Sequence, residues 1–303
     1  MSGWFRSKTY VTPLGPVDAA VGGAGPAVMI FHGAPGGSDQ GRLLGELTHQ
    51  GFRVIALSRP GYLDTPLSSG RTFAAQGDLA AALLDVLQIE RAASIGLSAG
   101  GPAALSMAAQ HPDRTWALVL EGAVTDAYVP TDLARNHRLG RLILSPILGG
   151  PTFWWLHRRM VRKPCKAAEK LLEIESTLDP ERRRRCAEFI AADPDRWTAL
   201  ADSLVPYRRR RTGLRNDLAQ LERVDVREWA RIRVPTLLQY SSTDADVPIH
   251  HAGALVALGV PAKLIVYQDA CGHLLWFGPS APQLSETRAA FLAGHGSRDG
   301  PVT

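Results

Sequence analysis

The stretch AASIGLSAGG, residues 92–101, runs an apolar segment into a serine flanked by small residues, Gly96-Leu97-Ser98-Ala99-Gly100. A glycine-x-serine-x-glycine pattern is cheap in this chain. With 17 serines and 29 glycines in 303 residues, roughly 0.16 such matches arise by chance. What surrounds Ser98 therefore decides its reading.

Before it, residues 92–96 fit a strand buried on both faces; after it, AGGPAALSMAAQ has the alanine-rich composition of a helix. Strand, sharp turn and helix are what an exposed nucleophilic serine requires, because its backbone is strained there and its neighbours must lack bulk. Further buried-strand patterns occur at 27–31, 53–57, 116–120, 235–240 and 263–267. Helical patterns separate them, so right-handed crossovers and an α/β fold with a mostly parallel central sheet flanked by helices are expected. One helix is read over 39–50 with Gly51 as its cap. Another spans 73–89, with Thr72 as N-cap and Leu79, Leu83, Val86 and Leu87 on its buried face. Residues 9–21 read as two strands joined at Leu14-Gly15-Pro16, an antiparallel ribbon at the sheet edge.

From about Asp126 to Val226 the rhythm breaks. Only helical, Arg-rich and aromatic segments such as PTFWWLHRRM and KAAEKLLEIESTL occur. A structureless loop of that length does not suit a compact domain, so 126–226 reads as a helical insertion into a core formed by 1–125 and 227–303.

Composition excludes several classes. A chain 45% hydrophobic and 21% charged belongs to neither disordered nor fibrous proteins. Residues 1–9 carry positive charge without an apolar run behind them, and no later stretch of 18 uninterrupted apolar residues follows. A cytoplasmic protein with no membrane partner is expected. Cys165, Cys186 and Cys271 are too few and too irregular for a disulfide framework or a zinc site and read as reduced thiols. The net charge of +5 owes much to Arg182–Arg185 and Arg208–Arg211, which read as solvated faces rather than a specific nucleic-acid site. No cofactor is expected: phosphate-loop and zinc-helix motifs are missing, and GGAGPA at 22–27 lacks the last glycine of a dinucleotide fingerprint.

A serine hydroxyl needs a base, and the base needs a carboxylate. His273, in QDACGHLLW just past the last strand pattern, is the candidate among nine histidines. His49 and His111 lie near helix ends, His137 and His157 in the insertion, His250 and His251 at a helix start, and His295 near the C-terminus. The acid comes from QYSSTDADVP, where Asp244 is nearer the strand end and Asp246 could instead cap the helix beginning at Pro248. Oxyanion N–H donors are expected from Ala99, which starts the helix after Ser98, and from Ala34 in FHGAPGG at 31–37. His32 reads as an anchor of that loop. Trp154, Trp155 and Trp276 are candidate substrate-pocket residues, with Phe153 and Phe277 beside them.

Five segments together resemble the α/β-hydrolase fold superfamily over nearly the whole chain. FHGAPGG is similar to the family's oxyanion loop, SRPGYLDTP to the loop after the next strand, and GLSAGG to the nucleophile elbow. TDADVP is similar to the D-x-x-V-P acid loop, which favours Asp244, and CGH to the histidine loop. The resemblance implies a Ser98–His273–Asp244 triad and a helical cap at 126–226 over the site. It implies a serine hydrolase acting on a small or medium acyl substrate, most simply a carboxylic ester. Dehalogenases and epoxide hydrolases of this superfamily carry an aspartate at the elbow, which Ser98 replaces. Proline iminopeptidases have a similar H-G-x-P-G-G loop but an elbow of G-G-S-W-G, from which Gly96–Gly100 departs. Glu169, Glu173 or Glu175 could meet a substrate amine, although a solvated helix face explains them more simply. Amide, lactone or carbon–carbon hydrolysis are alternatives on the same triad, and a noncatalytic ligand-binding protein on this scaffold is the alternative from another class.

Overall fold

A computed structural model describes residues 6–130 and 151–296, the first six of the second span by their backbone. Its centre is an eight-stranded sheet of β1 (Lys8–Thr12), β2 (Gly15–Gly22), β3 (Ala27–Phe31), β4 (Arg53–Leu57), β5 (Ala92–Leu97), β6 (Thr115–Glu121), β7 (Thr236–Ser241) and β8 (Ala262–Tyr267). The spatial order is β1-β2-β4-β3-β5-β6-β7-β8. All pairings from β4 to β8 are parallel, whereas β1 and β2 form the antiparallel ribbon read from the sequence.

Strands β3, β5, β6 and β7 are buried throughout, as continuous apolar runs demand when helices cover both sheet faces. Alternation divides their side chains between two cores: Met29 and Phe31 enter one, Val28 and Ile30 the other. Strand β8 departs from the expectation of full burial. It lies at the sheet edge, and Lys263 and Leu264 are exposed because no strand and little helix covers them.

Helix α1 (Phe73–Val86) begins where expected, with Thr72 Oγ1 accepting from Ala75 N at 3.1 Å. Its buried face includes Leu79 and Leu83 but turns toward Gln76, Ala80 and Leu84, leaving Val86 exposed. The reason is α2 (Gly101–Gln110), whose Met107 N lies 2.8 Å from where a Cβ on Gly77 would stand, so the helices meet at that glycine. The helix expected over 39–50 is a 3-10 segment, Ser38–Thr48, broken at Leu44 (φ −113°, ψ 25°). Gly51 follows it in the left-handed region at φ 88°.

Between β6 and β7 the described residues form helices α3 (Pro151–Arg162), α4 (Pro164–Glu175), α5 (Pro180–Ala191), α6 (Pro194–Asp202) and α7 (Arg211–Leu221). Proline at the first turn of four of them suits a position that needs no N–H. Asp179 and Asp193 cap α5 and α6. Leu172, Ile190 and Trp197 from this stretch share one apolar cluster with Val28, Ile95 and Val119 of the sheet, so these helices and the sheet exclude water together. Helices α8 (His250–Ala257) and α9 (Ala281–Gly296) complete the framework. No described helix is long and apolar enough to cross a membrane, and the three cysteines are free.

The two arginine runs differ. Arg182 and Arg185 make part-exposed pairs with Asp269 and Glu181, as a solvated face would. Arg210 overturns the expectation for the second run: it is 1% exposed, donating to Gly36 O at 2.6 Å and to both Asp39 oxygens at 3.0 and 2.6 Å. A fully buried guanidinium needs such partners, and it finds them on the loop after β3.

Candidate active site

Ser98 stands at the carboxyl end of β5 with φ 49°, a left-handed conformation that costs a non-glycine residue about 1–3 kcal/mol. The glycines of the motif make that turn possible. A Cβ on Gly100 would lie 2.2 Å from Phe31 O and 2.6 Å from His32 O, and one on Gly96 would lie 3.0 Å from Gly101 Cα. Small residues are therefore required where the elbow packs against the loop after β3.

His273 reaches Ser98 from the loop after β8, its Nε2 lying 2.9 Å from Ser98 Oγ. On the other side of the ring, Nδ1 donates to Asp244 Oδ2 at 2.7 Å, which leaves Nε2 the acceptor in the neutral imidazole. Asp244 is anchored in turn: its Oδ1 accepts from Asp246 N at 2.9 Å and Val247 N at 2.8 Å. Of the two acids open at the sequence level, Asp244 is the one that orients the ring.

Asp246 neither caps α8 nor faces away. Its Oδ1 accepts from the Tyr128 hydroxyl at 2.6 Å, and its Oδ2 lies 3.8 Å from His273 Nε2. Burial disfavours the imidazolium, but the carboxylates of Asp244, Asp246 and Glu175 outweigh it and push the His273 pKa up to about 10. The Asp244 carboxyl is itself pushed up by burial, against which the imidazole and the amide N–H groups work.

The histidine loop is held by α4. His273 N donates to Glu175 O at 3.0 Å, and Ala245 N of the acid loop donates to the same carbonyl at 3.3 Å. Gly272 has φ 58°, and a Cβ there would stand 2.4 Å from Ser176 Cβ. Only glycine permits this approach.

Ala34 and Ala99, the expected oxyanion donors, line the same cavity as Ser98. The loop bearing Ala34 is fixed by His32, whose Nδ1–H donates to Gly33 O at 2.7 Å and whose Nε2 accepts from Arg59 N at 2.9 Å. Burial, reinforced by the Arg59 charge, keeps the His32 pKa well below its usual value, so the ring stays neutral in this role.

The cavity measures about 120 Å³ and is partly open to solvent. Leu214, Leu218 and Leu221 of α7 form one wall. Their helical spacing is a signal that the sequence carried and that the expectations passed over. Glu175, read as part of a solvated face, also lines the cavity, together with Asp246 and Tyr128. Trp276 does not. Its Nε1 donates to buried Glu121 Oε2 at 2.7 Å, and its ring meets the His273 ring edge-on at 6.1 Å, so it backs the histidine from the core. Phe277 packs on Trp197. The side chains of Trp154, Trp155 and Phe153, and all of His137, lie outside the described residues. Among the described residues no three His, Cys, Asp or Glu side chains converge as a metal site.

The profile of the α/β hydrolase fold family matches residues 26–142. A 2-hydroxy-6-oxononadienedioate/2-hydroxy-6-oxononatrienedioate hydrolase of Paraburkholderia phymatum is 33% identical over 83% of this chain and 82% of its own length. An uncharacterised hydrolase of Bacillus subtilis is 25% identical over 95% of this chain and 98% of its own. Among solved structures, an alpha/beta hydrolase fold protein from Nakamurella multipartita is 31% identical, covers 95% of this chain and 99% of its own, and superposes with a TM-score of 0.83.

Proposed function

The chain belongs to the α/β-hydrolase fold family, and from that premise we propose that this hydrolase cleaves a short-chain carboxylic ester through a covalent acyl-enzyme on Ser98. One observation carries the proposal: Ser98 Oγ, His273 and Asp244 are joined in a line by contacts of 2.9 and 2.7 Å, with Ser98 lining a mostly apolar cavity. In this reading His273 Nε2 takes the Ser98 proton as Oγ attacks the carbonyl carbon. The backbone N–H groups of Ala34 and Ala99 hold the oxyanion. Collapse breaks the bond to the leaving alcohol, which takes the proton from His273. Water, deprotonated by the same nitrogen, then attacks the acyl carbon, and Ser98 Oγ departs with that proton returned from His273. Asp244 keeps the ring in its productive tautomer, and α3 to α7 act as a cap that shapes the acyl pocket.

A second reading, hydrolysis of a carbon–carbon bond in a dienedioate-type ketone, draws support from the Paraburkholderia relative. Intact-mass detection of an acyl adduct across short esters and vinylogous diketones decides between them. Adducts and turnover with esters, both lost in Ser98→Ala, are the expected outcome. Turnover of the diketones alone would transfer the conclusion to the second reading. No adduct with any substrate or with a fluorophosphonate would point to a binding protein.

A further inference from the structure

The second acid of the loop after β7 stands close to the wrong nitrogen. Asp246 Oδ2 lies 3.8 Å from His273 Nε2, the atom that contacts Ser98 Oγ at 2.9 Å. A carboxylate is a far stronger acceptor for an imidazolium N–H than an alcohol or ester oxygen. At hydrogen-bonding distance Asp246 would keep the proton on Nε2, and it falls short of that distance by less than about 1 Å.

The carboxylate must therefore be held back. The backbone of the acid loop is pinned on both sides, Ala245 N donating to Glu175 O at 3.3 Å and Asp246 N to Asp244 Oδ1 at 2.9 Å, so the freedom left to Asp246 is rotation of its side chain. Among the described residues its carboxylate accepts one hydrogen bond, from the Tyr128 hydroxyl to Oδ1 at 2.6 Å. Tyr128 is itself anchored. Its N donates to Leu221 O at 2.9 Å at the end of α7, and it lines the cavity together with Ser98. Burial and the neighbouring Asp246 charge push the phenol pKa up, so the hydroxyl stays a donor.

Resting on the hydrolytic reading above, we propose that Tyr128 is a positioning residue: it holds Asp246 out of hydrogen-bonding range of His273 Nε2, so that the proton taken from Ser98 passes to the leaving alcohol instead of being held between imidazole and carboxylate. One proton leaves Ser98 Oγ for Nε2, then leaves Nε2 for the alcohol oxygen as the acyl–oxygen bond breaks. From 3.8 Å Asp246 still favours the imidazolium through space, as do Asp244 of the same loop and Glu175 of α4, without offering Nε2–H a bond.

The experiment removes a single hydroxyl. Tyr128→Phe keeps a ring on the cavity wall and frees the Asp246 side chain to reach Nε2. Wild-type protein and variant are compared at one pH on ethyl and nitrophenyl esters of the same short acid, because an alkoxide must be protonated to leave and a nitrophenolate need not be. The kcat/KM for the ethyl ester should fall about tenfold more than that for the nitrophenyl ester. Comparing the two esters at one pH cancels any change in the fraction of neutral His273, and a merely structural defect lowers both alike. In an Asp246→Asn background the same substitution should leave their ratio within about twofold, since the amide carries no charge to capture the proton. NMR titration of the His273 ring from pH 6 to about 10.5 reads the restraint without turnover: the midpoint moves up in Tyr128→Phe, and that substitution does not move it in the Asp246→Asn background. If the titration behaves so while neither ester is hydrolysed, the restraint on Asp246 stands and the hydrolytic reading alone fails. Equal losses on the two esters, a changed ratio that persists in the Asp246→Asn background, or a midpoint unmoved or lowered in Tyr128→Phe overturns the assignment.

Discussion

Arg59 and Asp217 form a two-pronged ion pair, Nη1 to Oδ1 at 2.9 Å and Nη2 to Oδ2 at 2.6 Å, that ties the loop after β4 to helix α7. Both side chains are essentially without solvent contact, and the Tyr62 hydroxyl donates to the same carboxylate at 2.6 Å. Arg59 Nε also donates to His32 O at 2.9 Å, so the clamp reaches the loop that carries Ala34. One wall of the Ser98 cavity is thus fastened to the loop that carries Ala34.

Breaking a buried pair by removing one partner strands the other charge. Asp217→Ala is expected to destabilise the fold by about 3–5 kcal/mol, measured by urea denaturation. A double replacement, Arg59→Met with Asp217→Leu, should recover a large part of that loss because neither charge remains.

The two acids of the loop after β7 should differ sharply. Asp244→Asn leaves a group that can hold His273 in the wrong tautomer, and kcat should fall about 10⁴-fold. Asp246→Asn removes a charge beside Nε2 but leaves the Nδ1 bond that fixes the tautomer, and a loss of about tenfold in kcat at its pH plateau is expected. Steady-state kinetics on a common ester checks both, and equal losses would reverse the assignment of roles.

The pH profile follows from the charge around His273. The ring works as a base only when neutral, and its pKa is pushed up to about 10, so kcat/KM should rise with pH on a limb above the ordinary imidazole range. Removing a nearby negative charge favours the neutral ring. Asp246→Asn should therefore move that limb to lower pH, which a profile from pH 6 to about 10.5 would show.

Gly100 is a test of the elbow packing. A methyl group there meets the backbone oxygens of Phe31 and His32, which cannot swing aside as a flexible side chain would. Gly100→Ala should cost about 1–3 kcal/mol or more in thermal unfolding and slow labelling of Ser98 by a fluorophosphonate.

Acid should weaken the fold through His251. Burial, with His250 adding to it, lowers its pKa to about 4, and its Nδ1 accepts from Thr125 N and Asp126 N, both at 3.3 Å. The folded state therefore binds fewer protons than the unfolded one between about pH 6.5 and 4. The stabilisation is complete above that window and declines as pH falls through it, by about 3 kcal/mol for this ring. His251→Asn, which keeps an acceptor near the Nδ1 position, should flatten the decline in urea midpoints between pH 7 and 4.5. Buried His32 leaves a residual slope of the same sign.

The central sheet and the alignment of Ser98, Asp244 and His273 were legible in the chain because both are written locally. A strand covered on both faces must be a continuous apolar run, and an elbow that touches Phe31 O must be glycine whatever else the molecule does. Once the strands are ordered, residues at their carboxyl ends arrive at one edge of the sheet. Pairings between distant segments were not legible. Arg210 reads as one of four exposed arginines until Asp39 and Gly36 are brought to it. Trp276 reads as a pocket residue until Glu121 takes its N–H, and Glu175 as a wet helix face until the end of α4 lies against the acid and histidine loops. The sequence by itself determined which residues would meet at the sheet edge, since backbone geometry and burial depend on short spacings. Only the tertiary structure decided which charges were removed from water and paired, and hence the electrostatic character of the pocket. That outcome depends on pairings such as Arg288 with Glu46, 242 positions apart, which no local pattern encodes.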